Sequence, residues 1–313
     1  MEIKKLPTDL YDSQERTSRI HFVSVNLYRP QILLLAFFCA IAGVPTLLAQ
    51  QAGKPALPAN PVQLVRTVVQ NEMANNQYPP MFTWKERIQK PSRTVEKQYV
   101  RTPSGILGCY LTINGKPLSA EDRAADDLRL NRLKDPRQMA SKRKEQKQDE
   151  ERVSNIVRAL PDAFRYEYAG VDIAANSHTL VHLRFTPNPS FNPPSRETFI
   201  FQGMNGMLTI DQSVNRILKL EGTLFRDVSI GWGIIGRLNQ GGRFAIEQGD
   251  VSHGHWDQTH LRLDFYGKAF IFKSIRINEY DTQYDFQPVP VMSVEQALDY
   301  LHRSYCTEYG GRR

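Results

Sequence analysis

Polar and apolar positions divide the chain into an N-terminal apolar segment, many short alternating runs and one long charged stretch. Residues Ile32 to Ala49 form a continuous apolar run, whereas residues 119–160 are dense in Asp, Glu, Lys and Arg. Most of the remaining sequence consists of short β-like runs separated by Gly, Asn, Pro and Asp. The pattern predicts a leader, a mainly β domain and a charged helical insertion.

The apolar run from Ile32 to Ala49 has the features of an export signal. Two arginines precede it and a polar, Pro-rich stretch follows it. A spanning helix needs about 20 apolar residues, and Gly43 and Pro45 weaken the distal end of this run. We therefore predict a cleaved signal peptide over residues 1–49 and a periplasmic protein. The alternative is a retained signal that anchors the protein in the inner membrane.

Two amphipathic helices are predicted at the ends of the β-rich part. Asn60 and Pro61 form a helix start, because a capping side chain is followed by proline at the first helical position. Ser293 is followed three residues later by Gln296, which is the spacing of a capping box. Both helices are available to cover an open face or edge of a sheet.

The charged stretch over residues 119–160 predicts one or two helices. Ser119 is the expected cap, and Asp135-Pro136 is the expected break. Because its charges are balanced, the stretch is typical of a solvated helical arm. A docking patch at Lys142-Arg143-Lys144 is the alternative.

Short turns, with no helical crossover, separate the predicted strands, and this requires an antiparallel meander. So many strands must twist and curl. The predicted fold class is mainly β with an α lid (α+β): a curved antiparallel sheet that forms an open half-barrel, plus the charged insertion. The predicted strands cover residues 82–88, 94–101, 106–113, 164–168, 179–185, 198–201, 207–211, 216–225, 233–238, 244–248, 255–265 and 269–280.

These elements divide the 313 residues into six segments. They are a signal peptide or anchor at 1–49, a linker at 50–60, the first helix and strands at 61–118, the insertion at 119–160, the remaining strands at 161–292, and a C-terminal helix and tail at 293–313.

Charge and cysteine content narrow the functional classes. The net charge of +7 is diffuse and forms no basic stripe interleaved with aromatics, so we predict no nucleic-acid partner. Once the leader is removed, Cys109 and Cys306 are the remaining cysteines. They form either a disulfide or two buried thiols. A disulfide would close a long loop and add about 4–5 kcal/mol to the free energy of unfolding. We expect a monomer.

Recognisable catalytic chemistry is sparse. Asp250, His253, His255, Asp257 and His260 are the densest set of metal-ligating residue types, but Gly254 indicates a turn between the histidines. The sequence has no phosphate-binding loop, no nucleophile elbow and no helical zinc motif. We predict no enzymatic activity, no metal and no cofactor, with a metal-dependent hydrolase as the least favoured alternative.

Four segments carry a resemblance to a known family: Gly206 to Asp211, Arg216 to Gly222, Gly254-His255-Trp256 and Gly267 to Phe272. They resemble the outer-membrane lipoprotein carrier and lipoprotein-sorting (LolA/LolB-like) superfamily. The resemblance extends over residues 60–113 and 163–290. It implies a periplasmic half-barrel whose helices form a lid over an apolar cavity. The charged insertion departs from that pattern.

The resemblance implies a periplasmic carrier that sequesters an acyl chain of a lipid or lipoprotein in the apolar concave face of the half-barrel. The alternative is a non-enzymatic envelope protein, structural or regulatory, that binds a protein partner through the charged arm. The candidate ligand-binding residues are Phe82, Trp84, Tyr99, Leu111, Phe199, Phe201, Leu218, Leu220 and Trp256.

Overall fold

The computed structural model describes residues 57–75, 80–230, 236–252, 254–269 and 273–306. The predicted leader at 1–49, most of the linker and His253 therefore lie outside the described residues. No helix in these ranges is both long and apolar enough to cross a membrane.

Among the described residues, four α-helices form where the capping signals predict them. Helix α1 covers Pro61–Asn75 and begins where the Asn60 side chain accepts a hydrogen bond from the Val62 amide at 2.9 Å. Helices α2 (Ala120–Arg132) and α3 (Pro136–Ala163) make up the charged insertion, and α4 (Val294–Leu301) begins with the Ser293 and Gln296 capping box. A short π-helix, His302–Cys306, follows α4.

Most predicted strands are present, and several are longer than predicted. One prediction is wrong: residues 198–201 belong to a 3₁₀-helix, Glu197–Gly203. The strands are β1 (Phe82–Lys90), β2 (Arg93–Thr102), β3 (Gly105–Ile113), β4 (Lys116–Pro117), β5 (Phe164–Ile173), β6 (Thr179–Pro187), β7 (Met204–Asp211), β8 (Arg216–Leu224), β9 (Val228–Ile230), β10 (Gly236–Leu238), β11 (Arg243–Ser252), β12 (His255–Ala269) and β13 (Lys273–Pro288).

All these strands belong to one antiparallel sheet with the order β4-β3-β2-β1-β13-β12-β11-β8-β7-β6-β5. Strand β10 pairs with β12 beyond the end of β11, and β9 pairs with β10. In the described ranges the two end strands do not pair with each other, so the sheet is open, as predicted for a half-barrel. Its first three strands join the rest through β13, the last strand.

One face of the sheet, called the inner face, is covered by helices α1 and α3. Across β6, β7, β8, β11 and β12, directly paired residues contribute a row of buried aliphatic side chains to this face. The row packs against Leu64, Val65 and Val68 of α1 and Val157 and Leu160 of α3. The row consists of Leu183, Leu208, Leu220, Ile246 and Leu261.

The inner face of β1, β2 and β13 contains buried charged residues, which departs from the predicted apolar concave face. Leu261 pairs with Asp281 of β13, and Asp281 pairs with Ile88 of β1, so the row of paired residues continues across these strands. Charged side chains alternate with aromatic ones here, and all are almost fully buried. The buried charged residues of this region are Glu86, Lys97, Arg101, Glu279 and Asp281.

Helix α4 packs on the opposite, outer face of β2 and β3, so it is not part of a lid over the inner face. Its residues Ala297, Leu298 and Leu301 contact Val100 and Leu107. Cys306, just beyond α4, forms a disulfide with Cys109 on β3, with the two Cα atoms 6.4 Å apart. Of the two states that the sequence left open, the structure has the disulfide.

The charged insertion is packed against the domain rather than being a free solvated arm. Asp126 and Gln146 are 4% and 7% exposed, and Val153 and Val157 belong to the main core. The break between α2 and α3 falls at Asp135, which caps α3, as predicted. Only the outward-facing charges of these helices are solvated.

Candidate ligand-binding site

A cavity of about 930 Å³ opens beside the last turns of α1. We call it the α1 cavity. Helix α1 forms one wall, the turn between β5 and β6 a second, and the β11–β12 hairpin a third. Its lining residues are Asn71, Ala74, Asn75, Ala174, Ala175, Asn176, His178, Leu180, Asp211, Val214, Arg216, Leu218, Gly249, Asp250, Gly254 and Trp256.

A histidine and an aspartate form the polar wall of the cavity. His178 Nδ1 lies 2.6 Å from Asp211 Oδ2, and the other Asp211 oxygen accepts a hydrogen bond from the Ser213 amide at 3.0 Å. Asp211 is almost fully buried, whereas about a third of the His178 side chain is exposed. The carboxylate therefore fixes the ring, and Nε2 is the nitrogen left for a ligand.

A buried ion pair lies behind this wall. Arg216 Nη2 is 3.2 Å from Glu72 Oε2, and the Ile217 amide donates a hydrogen bond to Glu72 Oε1 at 3.1 Å. Burial raises the pKa of Glu72, and the Arg216 charge opposes that shift. Burial also lowers the pKa of Arg216, opposed by Glu72 and Asp257. The pair fixes the end of α1 against the start of β8.

The remainder of the lining combines apolar side chains with Asn71, Asn75, Asn176 and Asp250. Leu180, Val214 and Leu218 come from β6, the β7–β8 turn and β8, and Ala74 comes from α1. The Trp256 ring lies beneath the Arg216 guanidinium, with 6.0 Å between the guanidinium carbon and the ring centroid. The cavity thus combines an apolar surface with a few oriented polar groups, the usual composition of a small-molecule site.

Of the nine predicted ligand-binding residues, Leu218 and Trp256 line this cavity. Phe199, Phe201 and Leu220 are part of the main core or pack against it. Phe82, Trp84 and Tyr99 form a separate inner-face cluster with Ile106, and Leu111 packs on the outer face with α4. The structure therefore divides the predicted site among a cavity and three packed clusters.

The polar wall of the cavity was not among the features predicted from the sequence. His178 and Asp211 are 33 residues apart and meet because β6 pairs with β7. Asp211 ends one strand and Arg216 begins the next, so the prediction of a hairpin there was a usable signal. Nothing in the sequence connects Asp211 or Arg216 to Glu72.

The histidine set considered for metal binding is not assembled among the described residues. His255 is buried and stacked on Phe82, with 4.9 Å between ring centroids. His260 is half exposed and lies 3.7 Å from Glu247. The described ranges contain no group of three or more His, Cys, Asp or Glu residues able to hold a metal ion.

Comparisons with known proteins give little beyond this geometry. No protein-family model matches the sequence, and no curated protein matches it significantly. The crystal structure of a DUF1329 family protein from Desulfovibrio piger is a distant structural neighbour. It is 9% identical, with a TM-score of 0.26 over 79% of this chain and 99% of that one. A likeness of this size carries no argument about function.

Proposed function

We propose that this protein is a non-catalytic, exported carrier that binds the acyl chain of a lipid or lipoprotein in the α1 cavity. The observation that carries the proposal is the cavity itself, whose volume of about 930 Å³ falls within the usual range for ligand pockets, about 300–1,000 Å³. Each methylene group moved from water to its apolar surface contributes about 0.8 kcal/mol. A short length of acyl chain is therefore enough for reversible binding.

Two further features support this proposal. The apolar run at 32–49 has the composition of an export signal. The Cys109–Cys306 disulfide is a bond that persists in oxidising compartments such as the periplasm. The resemblance of residues 60–113 and 163–290 to the lipoprotein carrier superfamily fits the same function.

The first experiment is native mass spectrometry of the protein purified from its own envelope fraction, with lipid analysis of the same sample. We expect a co-purifying acyl lipid or lipopeptide and a chain that has lost its leader. A bare chain that also fails to bind a fluorescent fatty acid in solution would overturn the proposal.

The cavity is tested by Leu218→Glu. A carboxylate among the apolar lining should weaken binding of a fluorescent fatty acid by at least about tenfold, because it must be desolvated when the chain enters. Leu128→Glu is the matched control, because Leu128 is 56% exposed on α2. Equal binding by the two variants would place the acyl chain elsewhere.

A second function is favoured by one observation: side chains of α1 and α3 already fill the apolar half of the inner face. A sheet whose inner face is already covered by helices favours a structural or regulatory envelope protein that binds a protein partner through the charged insertion. A photo-crosslinker at exposed Arg143 would then capture one defined envelope protein, and the purified chain would carry no lipid. Lipid without a crosslinked partner supports the carrier instead.

A further inference from the structure

Strand β3 lies next to one end of the sheet and carries no charged side chain between Gly105 and Ile113. One edge of β3 pairs with β2. At the other edge, which points away from β2, the two-residue strand β4 pairs with Thr112 and Ile113. In the described structure, no strand pairs with the edge of residues 105–111 that points away from β2. Long, apolar strand edges of this kind are templates for pairing with another chain.

Three side chains of the charged insertion form hydrogen bonds with backbone groups of β3 that point away from β2. The Gln146 amide accepts a hydrogen bond from the Ile106 N–H at 3.1 Å and donates one to the Ile106 carbonyl at 2.8 Å. A residue of a neighbouring antiparallel strand makes the same pair of bonds. Gln146 therefore takes the place of one residue of an adjacent strand.

Gly108 and Tyr110, the next two residues whose backbone groups point away from β2, each form one hydrogen bond with a side chain of the insertion. Arg129 Nη2 donates to the Gly108 carbonyl at 2.6 Å, and Asp126 Oδ2 accepts from the Tyr110 N–H at 2.9 Å. Arg129 Nε also donates to Asp126 Oδ1 at 2.9 Å, so the two side chains hold each other in position. Residues 106, 108 and 110 alternate along β3 as the outward groups of a strand do.

The opposite end of the sheet has a different protection. Strand β5 carries Arg165, Glu167 and Asp172, and its register shifts between Tyr168 and Gly170. Charges and a bulge are features that discourage pairing at an edge without any cover. Strand β3 has no charge, and its register shift lies at Leu111, near its end, so protection of residues 105–110 depends on the insertion.

We propose that the charged insertion is a strand mimic that prevents β3 from pairing with β3 of a second copy of this chain. Asp126, Arg129 and Gln146 are the guard residues. The partner is a second copy because the same uncharged strand, presented twice about a two-fold axis, pairs antiparallel with itself. The dense charge of α2 and α3 keeps the cover itself soluble and unpaired.

The test is the triple variant Asp126→Ala, Arg129→Ala and Gln146→Ala. By hydrogen exchange of the dilute protein, the amide protons of Ile106 and Tyr110 should exchange at least about tenfold faster than in the unsubstituted protein. By sedimentation at high protein concentration, the variant should form dimers, in which both amides become protected again. The matched control replaces exposed Glu121, Arg132 and Gln148 with alanine and should change neither result.

Two results would overturn the proposal: unchanged exchange at Ile106 and Tyr110, or faster exchange in a protein that stays monomeric at every concentration. Folding of the triple variant is checked by its circular dichroism and its intact disulfide. Should it not fold, Gln146→Ala alone provides the test. It should expose the Ile106 amide while Tyr110 stays protected by Asp126, and equal acceleration at both positions would contradict a residue-by-residue guard.

Discussion

Glu72 on the first helix and Arg216 on β8 form an ion pair inside the protein, with 1% and 4% of their surfaces exposed. Their separation in sequence is large, so the pair connects a helix near the beginning of the domain to the middle of the sheet. The Arg216 side of the pair lines the α1 cavity.

Glu72→Gln should destabilise the fold by about 3 kcal/mol, because it leaves the Arg216 charge buried with a neutral partner. The free energy of unfolding in urea measures this loss. The matched control is Asp162→Asn, which removes the partner of Arg66 from an exposed pair and should cost less than about 1 kcal/mol. Equal losses in the two variants would mean that Glu72 and Arg216 contribute no more than a surface pair.

The stability of the protein should fall between about pH 4 and pH 9 because of Asp281. Burial, with the nearby charges of Glu279 and Glu86, raises the pKa of Asp281 to about 9 against the opposing charge of Lys90. The folded state therefore holds a proton that the unfolded chain loses near pH 4. This contribution is complete below pH 4, decreases as pH rises and is lost by pH 9.

Asp281→Asn should remove that part of the pH dependence, since an amide needs no proton to be buried. Unfolding free energies measured from pH 5 to pH 9 check the slope. Glu151→Gln, at an exposed position of α3, should leave the slope unchanged. A slope that persists in Asp281→Asn would assign the buried proton to another carboxyl group.

Reduction of the Cys109–Cys306 disulfide should lower the free energy of unfolding by about 5 kcal/mol, as the chain-entropy model gives for a loop of this length. Denaturant unfolding with and without a thiol reductant measures the effect. Cys306→Ser should be as weak as the reduced protein and insensitive to reductant. A variant as stable as the oxidised protein would show that packing of α4 alone holds the C-terminal segment.

The sequence predicted those elements that local chemistry defines. Asn60 and Ser293 cap helices because their side chains satisfy amides within the next turn. Asn114-Gly115 forms its turn because both residues adopt positive φ, 50° and 74°. In contrast, residues 198–201 are a short apolar run, for which strand and buried helical turn have the same pattern.

The structure separates the nine predicted ligand-binding residues because side-chain direction depends on pairing between distant strands. Leu111 lies on the outer face and Tyr99 on the inner face, although both are apolar strand residues. The pairing of Tyr99 with Gly108 and of Lys97 with Tyr110 places Leu111 on the face opposite to Tyr99, and no local pattern shows which residues pair. Contacts from Gln146 to the backbone of β3 were likewise invisible, because backbone groups have no sequence signature.

The pairing of β1 with β13 has a consequence for how the chain is made. Until residues 273–288 have been synthesised, strands β1 to β3 have no neighbour through which to join the strands from β5 onward. Contacts between such distant segments form slowly. The chain therefore emerges as two unfinished sheets, and Cys109 cannot form its disulfide until Cys306 arrives. The last strand completes the sheet, and the last cysteine then bonds β3 covalently to the segment that follows α4.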